Sequence, residues 1–130
     1  ALKDIKAPVF VVATEKDHIA PWGSVYKTTL FTDGDLTFVL TNGGHNAGIV
    51  SEPGHPHRHF RITHKRADSP CIGHDEWLRH TDPVEGSWWE AWNDWLDTIS
   101  GDEAPPPPMG AAEKGYPALE DAPGTYVFQH

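Results

Sequence analysis

Cysteine is almost missing from this chain of 130 residues, which contains Cys71 alone. A single cysteine excludes a disulfide within the chain. The scarcity of cysteine weakly favours a protein of a reducing compartment. Long hydrophobic runs are missing too, because no apolar stretch approaches the roughly 20 residues that a membrane-spanning helix needs. The sequence opens at Ala1 without a charged and apolar leader. We therefore expect no signal peptide, and we expect the chain to be a piece of a larger protein.

Positive charge is also scarce. Lysine and arginine number 10 against 19 acidic residues, which gives a net charge of −9 with histidine neutral. This balance disfavours nucleic acid or an anionic membrane as the main partner. Residues 55–66 are the exception, because they hold four basic side chains and no acid: Arg58, Arg61, Lys65 and Arg66.

Two apolar runs, residues 9–13 and 36–40, lack the polar alternation of a half-exposed strand. They predict strands that are buried on both faces of a parallel sheet. Between them, Ser24 is a candidate N-cap for a helix over residues 25–31. A strand, helix and strand of this length form a right-handed parallel crossover in nearly all cases. The predicted fold class is therefore α/β.

The rest of the chain predicts less regular structure. Residues 57–63 alternate weakly and predict an edge strand, residues 67–73 a loop, and residues 75–79 a short helical turn. Ser87 and Glu90 form a capping-box pattern before a helix over residues 88–99. Its apolar face would consist of Trp88, Trp92, Trp95, Leu96 and Ile99. We divide the chain into a domain over residues 1–101 and a proline-rich, extended tail over residues 102–130, which we expect to lie on the surface of the fold.

Asp17 follows the first predicted strand, and His45 follows the second. Parallel strands end at the same edge of a sheet, where open α/β sheets carry their sites. An acid and a histidine at successive strand ends match two members of a catalytic triad, in the chain order of α/β-hydrolase folds. The topology alone favours an ordinary turn aspartate and a polar loop histidine, because such residues are common in the loops at strand ends.

Four segments add a family resemblance. They resemble, in order, parts of the polyhydroxyalkanoate synthases, which make bacterial storage polyesters: Asp17-His-Ile-Ala-Pro-Trp22, Gly44-His-Asn-Ala-Gly-Ile-Val50, Gly86-Ser-Trp-Trp89 and Ala122-Pro-Gly-Thr-Tyr-Val127. The resemblance implies the C-terminal part of an α/β-hydrolase-type catalytic domain. It also implies a Cys–His–Asp triad in which Asp17 is the acid and His45 the general base.

The same resemblance implies the substrate and the partners. The enzyme would take (R)-3-hydroxyacyl-CoA, pass the acyl group through a cysteine thioester and release CoA. CoA is then part of the substrate, and neither a bound cofactor nor a metal is implied. The partners would be the growing polyester, the remainder of the catalytic domain and a second copy in a homodimer. The location would be cytoplasmic, on polymer granules.

The chain departs from the family pattern in one respect, because it lacks the family's nucleophile motif. The family carries Gly-x-Cys-x-Gly upstream of the acid, and nothing similar precedes Asp17. Cys71 stands after His45 in Ser69-Pro-Cys-Ile-Gly73, with proline where a strained strand-to-helix turn is needed. We interpret Cys71 as a structural or incidental thiol and expect this chain to be inactive by itself.

The histidines of residues 55–66 leave two further interpretations open. His55, His57 and His59 would share one side of a strand and could bind a metal, although no cysteine or carboxylate stands at ligand spacing. The arginines and lysine of this segment could instead hold CoA phosphates. A solvated basic edge strand explains the same pattern, and we predict no metal site.

Two other functions are compatible with the sequence. A hydrolase of the same fold, an esterase or depolymerase, would use a serine outside this chain. A granule-binding or scaffolding module would use the tryptophan face of the helix over residues 88–99 without catalysis.

Overall fold

The computed structural model describes residues 2–67 and 69–129. The chain divides into two compact units, residues 1–100 and residues 101–130. After a 3-10 turn over Leu2–Asp4, the strands and helices of the first unit are β1 (Val9–Thr14), α1 (Trp22–Tyr26), α2 (Thr28–Phe31), β2 (Leu36–Thr41), β3 (His59–Lys65), α3 (His74–His80), β4 (Val84–Glu85) and α4 (Trp88–Ile99). None of the helices in the described residues is long and apolar enough to cross a membrane.

The strands of the described residues form one mixed sheet of four, in the order β1-β2-β3-β4. β1 and β2 are parallel, with Val9 opposite Leu36 and Thr14 opposite Thr41. β3 runs antiparallel to β2, and β4 pairs with β3 through His59 and Phe60. The predicted α/β class and the parallel crossover between the first two strands are confirmed.

Hydrophobic packing covers both faces of the sheet. β2 is buried along its whole length, and its alternate residues enter different clusters. Phe38 packs with Tyr26 and Trp77 on the face of α1 and α3. Val39 packs on the other face with Phe60 of β3 and Trp88 of α4. The prediction of burial on both faces is confirmed for β2, whereas β1 is half-buried from Val9 to Val12.

The predicted helical structure over residues 25–31 is confirmed in part, whereas Ser24 as its N-cap is wrong. Two short helices stand there, and the first begins after Pro21, so that Ser24 lies inside it. The Ser24 amide donates to the Pro21 carbonyl at 2.7 Å. Proline has a restricted φ near helical values and no N–H to satisfy, so the helical turn begins directly after it.

The predicted strand over residues 57–63 is displaced. β3 begins at His59, because His57 has a left-handed backbone with φ of 62° that cannot continue a strand. His55 and His57 therefore lie in a loop, and the expectation that they share a strand face with His59 is wrong. β3 is also an inner strand of the four, although β4 covers it only at His59 and Phe60.

The last two helices follow the predictions closely. α3 includes the predicted turn over residues 75–79 and extends it by one residue at each end. α4 begins at Trp88, and the Ser87 hydroxyl caps it by accepting the Trp89 amide. Trp88 is buried and Trp95 lies 5.3 Å from Phe10 of β1, measured between ring centroids. Trp92 and Ile99 of the same predicted face are exposed.

The second unit contains little regular structure. It has 3-10 turns over Ala112–Lys114 and Tyr126–Phe128 and an isolated bridge between Ala111 and Tyr116. This irregular backbone is typical of a segment rich in proline and glycine. Its association with the surface of the first unit stays a prediction.

Candidate active site

Backbone pairing continues beyond the ends of β1 and β2 and joins the two loops that follow them. The Glu15 amide donates to the Thr41 carbonyl at 2.9 Å, and the Lys16 amide donates to the Gly43 carbonyl at 2.9 Å. These two hydrogen bonds therefore join the loop that carries Asp17 to the loop that carries His45, close to both side chains.

The structure brings Asp17 and His45 into direct contact. His45 Nδ1 lies 2.8 Å from Asp17 Oδ2, although the two residues are 28 positions apart in the chain. The other carboxylate oxygen, Oδ1, accepts the amides of Ile19 and Ala20 at 2.9 Å each. An aspartate at the start of a turn typically accepts such bonds from the amides two and three residues later. Here they hold the Asp17 carboxylate in one orientation.

Electrostatics and exposure give the two side chains different roles. The Ala20 amide, the bond to His45 and the Ile19 amide lower the pKa of Asp17 to about 2. Asp17 is thus ionised at neutral pH, and it favours the histidine tautomer that carries its proton on Nδ1. The Nε2 atom is then the nitrogen with a free lone pair. Because 47% of the His45 side chain is exposed but only 9% of the Asp17 side chain, the imidazole is the accessible member of the pair.

Glycine allows the sharp turn that presents His45. Gly43 has φ of +109°, and a Cβ there would lie 2.9 Å from the Cα of Gly48 and from Nη1 of Arg58. Only glycine fits this backbone and this space. The Gly48 amide donates to the Gly44 carbonyl at 2.9 Å and closes the turn around His45.

Arg58 and Asn42 hold the base of the same loop. Arg58 Nη2 donates to the Ala47 carbonyl at 2.6 Å, and Nη1 donates to the Asn42 carbonyl at 3.4 Å. The Asn42 side chain donates to the His57 carbonyl at 2.8 Å and accepts the His59 amide at 3.3 Å. Sequence reasoning considered Arg58 only as a candidate ligand of CoA phosphates, and it missed Asn42. The available signal was an arginine and an asparagine on either side of a glycine-rich loop, whose free carbonyls and amides need partners.

Three basic side chains of residues 55–66 bind carbonyls at separate places. Arg58 binds the loop after β2, Arg61 donates to the Thr81 carbonyl after α3, and Lys65 donates to the Thr32 carbonyl at 3.3 Å. Lys65 and Arg58 stand seven positions apart along an extended segment, about 20 Å at the rise of a strand. The geometry gives no common cluster of these charges for one phosphate group.

The histidines of this segment also have separate partners. His55 Nδ1 lies 3.0 Å from Glu52 Oε1, and His59 Nε2 lies 3.6 Å from Glu15 Oε1. Across residues 2–67 and 69–129, no three side chains of histidine, cysteine, aspartate or glutamate are grouped so that they could hold a metal ion.

Cys71 lies away from the pair. Its thiol donates to the Thr29 carbonyl at 3.4 Å, and it lines a surface cavity with Leu36 and Lys65. Leu36 begins β2, whereas His45 follows the end of that strand. A strand of this length measures roughly 17 Å, so Cys71 is out of reach of His45.

Curated proteins are similar to the chain over nearly all of its length. Poly(3-hydroxyalkanoate) polymerase 2 of Ectopseudomonas oleovorans is 39% identical over 128 residues, which are 98% of this chain and 22% of that protein. Poly(3-hydroxyalkanoate) polymerase of Methylorubrum extorquens is 38% identical over 129 residues, 97% of this chain and 20% of the relative. The chain is similar to poly(3-hydroxyalkanoate) polymerases over nearly its whole length. The resemblance read from the motifs is confirmed.

A third polymerase adds to this relationship. The poly(3-hydroxyalkanoate) polymerase subunit PhaC of Cupriavidus necator is 35% identical over 127 residues, 97% of this chain and 20% of the relative. The chain thus spans about a fifth of the length of the curated polymerases that it matches. No family model matches it.

Proposed function

We propose that this chain is the C-terminal part of a polyhydroxyalkanoate synthase and supplies the acid and the base of its Cys–His–Asp triad. The contact between Asp17 and His45 at the common edge of two parallel strands carries this proposal. The names of the related polymerases support the reaction class. The sheet and its crossover are compatible with the corresponding part of an α/β-hydrolase fold, whose acid and histidine also follow successive strands.

In the proposed reaction, His45 Nε2 takes the proton from a cysteine thiol contributed by another part of the protein. The thiolate attacks the carbonyl carbon of a (R)-3-hydroxyacyl-CoA, forms a thioester and expels CoA, which leaves with the proton from His45. The hydroxyl of a further acyl unit then gives its proton to His45 and attacks a thioester, so that an ester bond forms and a thiol is regenerated. Asp17 stays ionised and stabilises the imidazolium at each proton transfer.

The proposal extends to the setting of the enzyme. The substrate is an acyl-CoA and the product is a polyester, and the whole protein works as a homodimer at polymer granules in the cytoplasm. CoA is part of the substrate, and the chemistry assigned to His45 and Asp17 uses no metal. The cysteine of this triad lies outside the chain, since Cys71 is remote from His45.

The test is an assay of CoA release and polymer mass with the full-length protein and its His45→Ala variant. Loss of one triad member should lower the rate of CoA release by at least about a thousandfold. His80→Ala, at the end of α3, removes another exposed histidine and should retain wild-type activity. A His45→Ala enzyme that keeps most of its activity would contradict the proposal.

Product analysis separates this function from hydrolysis by the same fold. A polymerase produces polyester of increasing mass from 3-hydroxybutyryl-CoA. A hydrolase would produce free 3-hydroxybutyrate and CoA in equal amounts with no polymer. Mass spectrometry of the acyl-enzyme, trapped with a substrate analogue, would identify whether the nucleophile is cysteine or serine.

A further inference from the structure

The Gly86-Ser-Trp-Trp89 motif has no part in the proposed triad, but it contacts the loop that carries His45. The motif leads into the first turn of α4. Three consecutive side chains donate to three backbone carbonyls of residues 48–51: Ser87 Oγ to Ser51, Trp88 Nε1 to Gly48 at 3.2 Å, and Trp89 Nε1 to Ile49 at 2.9 Å. The start of one helix therefore binds three carbonyls of a single short segment.

That segment is continuous with the turn around His45. The Gly48 amide donates to the Gly44 carbonyl, and the amides of Ile49 and Val50 donate to the Asn46 carbonyl at 3.0 Å each. Peptide units 44–50 thus form one hydrogen-bonded turn. A displacement of the carbonyls at Gly48 and Ile49 would move the backbone of His45 with them.

Thr14 restrains the same turn from the sheet side. A Cβ at Gly48 would lie 2.5 Å from Cγ2 of Thr14, so the peptide backbone of Gly48 packs directly against this side chain. The turn is consequently held between the end of β1 and the start of α4. Side chains in close-packed interiors cannot give way by even one methyl group without cost.

The two indoles at the start of α4 differ in burial and in the direction of their N–H groups. Consecutive residues of a helix point about 100° apart, so Trp88 and Trp89 leave α4 in different directions. Trp88 is buried against Phe10 and Val39, as a core residue would be. Trp89 is half-buried and packs against the edge of the same cluster, with its ring at 88° to that of Trp88. Its N–H is directed to the Ile49 carbonyl. An indole in this position could have had its N–H satisfied by solvent, yet it binds the loop.

We propose that Trp89 is a positioning residue for His45. Its indole N–H, together with Trp88 Nε1 and the Ser87 hydroxyl, holds the turn over residues 44–50 so that His45 Nε2 meets the reacting groups. The inference rests on the proposed role of His45 as general base. The Gly-Ser-Trp-Trp motif then acts in the reaction indirectly, by binding the backbone of residues 48–51.

The test is Trp89→Phe in the full-length protein, which removes the indole N–H and keeps an aromatic ring. We expect kcat for CoA release to fall about tenfold with KM for 3-hydroxybutyryl-CoA within about twofold of wild type, since a small displacement of a general base affects turnover more than substrate binding. Hydrogen–deuterium exchange of residues 42–51 should become faster. Trp92→Phe, one turn later on α4, is the matched control and should leave both measurements unchanged.

A second replacement keeps the shape of the side chain. Benzothienylalanine at position 89, introduced by nonsense suppression, has a ring system of the size of indole without the N–H. It should reproduce the lower kcat and the faster exchange even if Trp89→Phe folds poorly. Wild-type kcat and wild-type exchange in this variant would overturn the inference. Faster exchange with wild-type kcat would also overturn it, because Trp89 would then hold the loop without affecting the reaction.

The two proposals fail in different ways. His45→Ala in the same assay reports on the base itself, and an active His45→Ala enzyme would remove the premise that His45 needs positioning. If His45→Ala is inactive while the benzothienylalanine variant turns over at the wild-type rate, the triad stands and only the role of Trp89 is refuted.

Discussion

Asp17 holds His45 through one carboxylate oxygen, Oδ2 at 2.8 Å from Nδ1, while the other oxygen is held by two backbone amides. The orientation of the imidazole therefore depends on a carboxylate that cannot rotate freely. Asp17 and His45 come from different loops, and the bond between them joins those loops at the side chains.

Replacing Asp17 by asparagine should invert the tautomer of His45. The amide oxygen can still accept the Ile19 and Ala20 amides, but the NH₂ group then donates to Nδ1, so that the proton of the imidazole moves to Nε2. We expect kcat of the full-length Asp17→Asn enzyme to fall by about 10³- to 10⁴-fold. The assay is CoA release at saturating substrate.

A second histidine–carboxylate pair on the same loop provides the control for this variant. His55 Nδ1 lies 3.0 Å from Glu52 Oε1, and both side chains lie outside the proposed triad. Glu52→Gln should leave kcat near the wild-type value. Comparable losses in the two variants would show that the effect comes from the loop and not from the triad.

The lowered pKa of Asp17 predicts how acid affects the fold. Because the folded carboxyl has a pKa of about 2 against an ordinary value of 3.8, the folded state binds its proton more weakly than the unfolded state. The stabilisation by the ionised carboxylate is then complete above about pH 4 and is lost as the pH falls toward about 2. Urea unfolding at a series of pH values should show a shallower acid dependence for Asp17→Asn than for wild type in this window. Parallel curves would contradict the assignment.

Gly48→Ala should damage the site by sterics alone. The added Cβ would lie 2.5 Å from Thr14 Cγ2 and 3.0 Å from the Asn42 carbonyl, so the turn around His45 has to move. Overpacking of this kind costs about 1–3 kcal/mol of stability. We expect kcat to fall more than tenfold, because a shift of about 1 Å at a catalytic group can cost about a hundredfold.

Gly44→Ala is the comparison for this substitution. The nearest atom to a Cβ at Gly44, the Lys16 carbonyl oxygen, is 4.0 Å away. The variant adds the same methyl group to the same turn in open space, and it should unfold at nearly the wild-type urea concentration. An equal loss of stability in both variants would argue against a steric cause.

Arg58→Lys separates two roles for this cation. A lysine has a single ammonium group and cannot reach both the Asn42 and the Ala47 carbonyls that the guanidinium binds. If Arg58 holds the loop, kcat should fall about five- to tenfold while KM for acyl-CoA stays within about twofold. Arg66→Ala, which removes an exposed charge of the same segment, should have no effect. A raised KM at unchanged kcat would instead indicate that Arg58 binds CoA phosphates.

The positions of Asp17 and His45 could be predicted from the sequence, because they follow from the order and direction of the strands. Uninterrupted apolar runs identified β1 and β2, and parallel pairing then placed Asp17 and His45 at one edge. Helix boundaries near proline were less predictable, because Ser24 has the propensity of an N-cap but Pro21 begins the helix first.

The restraints on the loop could not be predicted in this way. Arg58 binds a carbonyl 11 positions away and Trp89 one 40 positions away, and such partners depend on how β3 and α4 pack. Arginine, tryptophan and backbone carbonyls occur throughout the chain, so composition and periodicity do not specify which of them pair. The predicted start of the strand at His57 was wrong for a related reason. His57 has a left-handed backbone, so β3 begins only at His59.

Because Arg58 and the His57 carbonyl fix one end of residues 42–58 and α4 fixes the part up to Ser51, residues 52–56 form an excursion that the proposed catalytic turn does not need. Pro53 and Pro56 are exposed there, and a side chain added at Gly54 would meet no atom within 4 Å. Chain length can therefore change in this excursion while the distance between the two anchors is preserved. The excursion offers a position for a fluorescent label or an inserted peptide, which would report on the neighbourhood of His45 from a segment that bears none of its restraints.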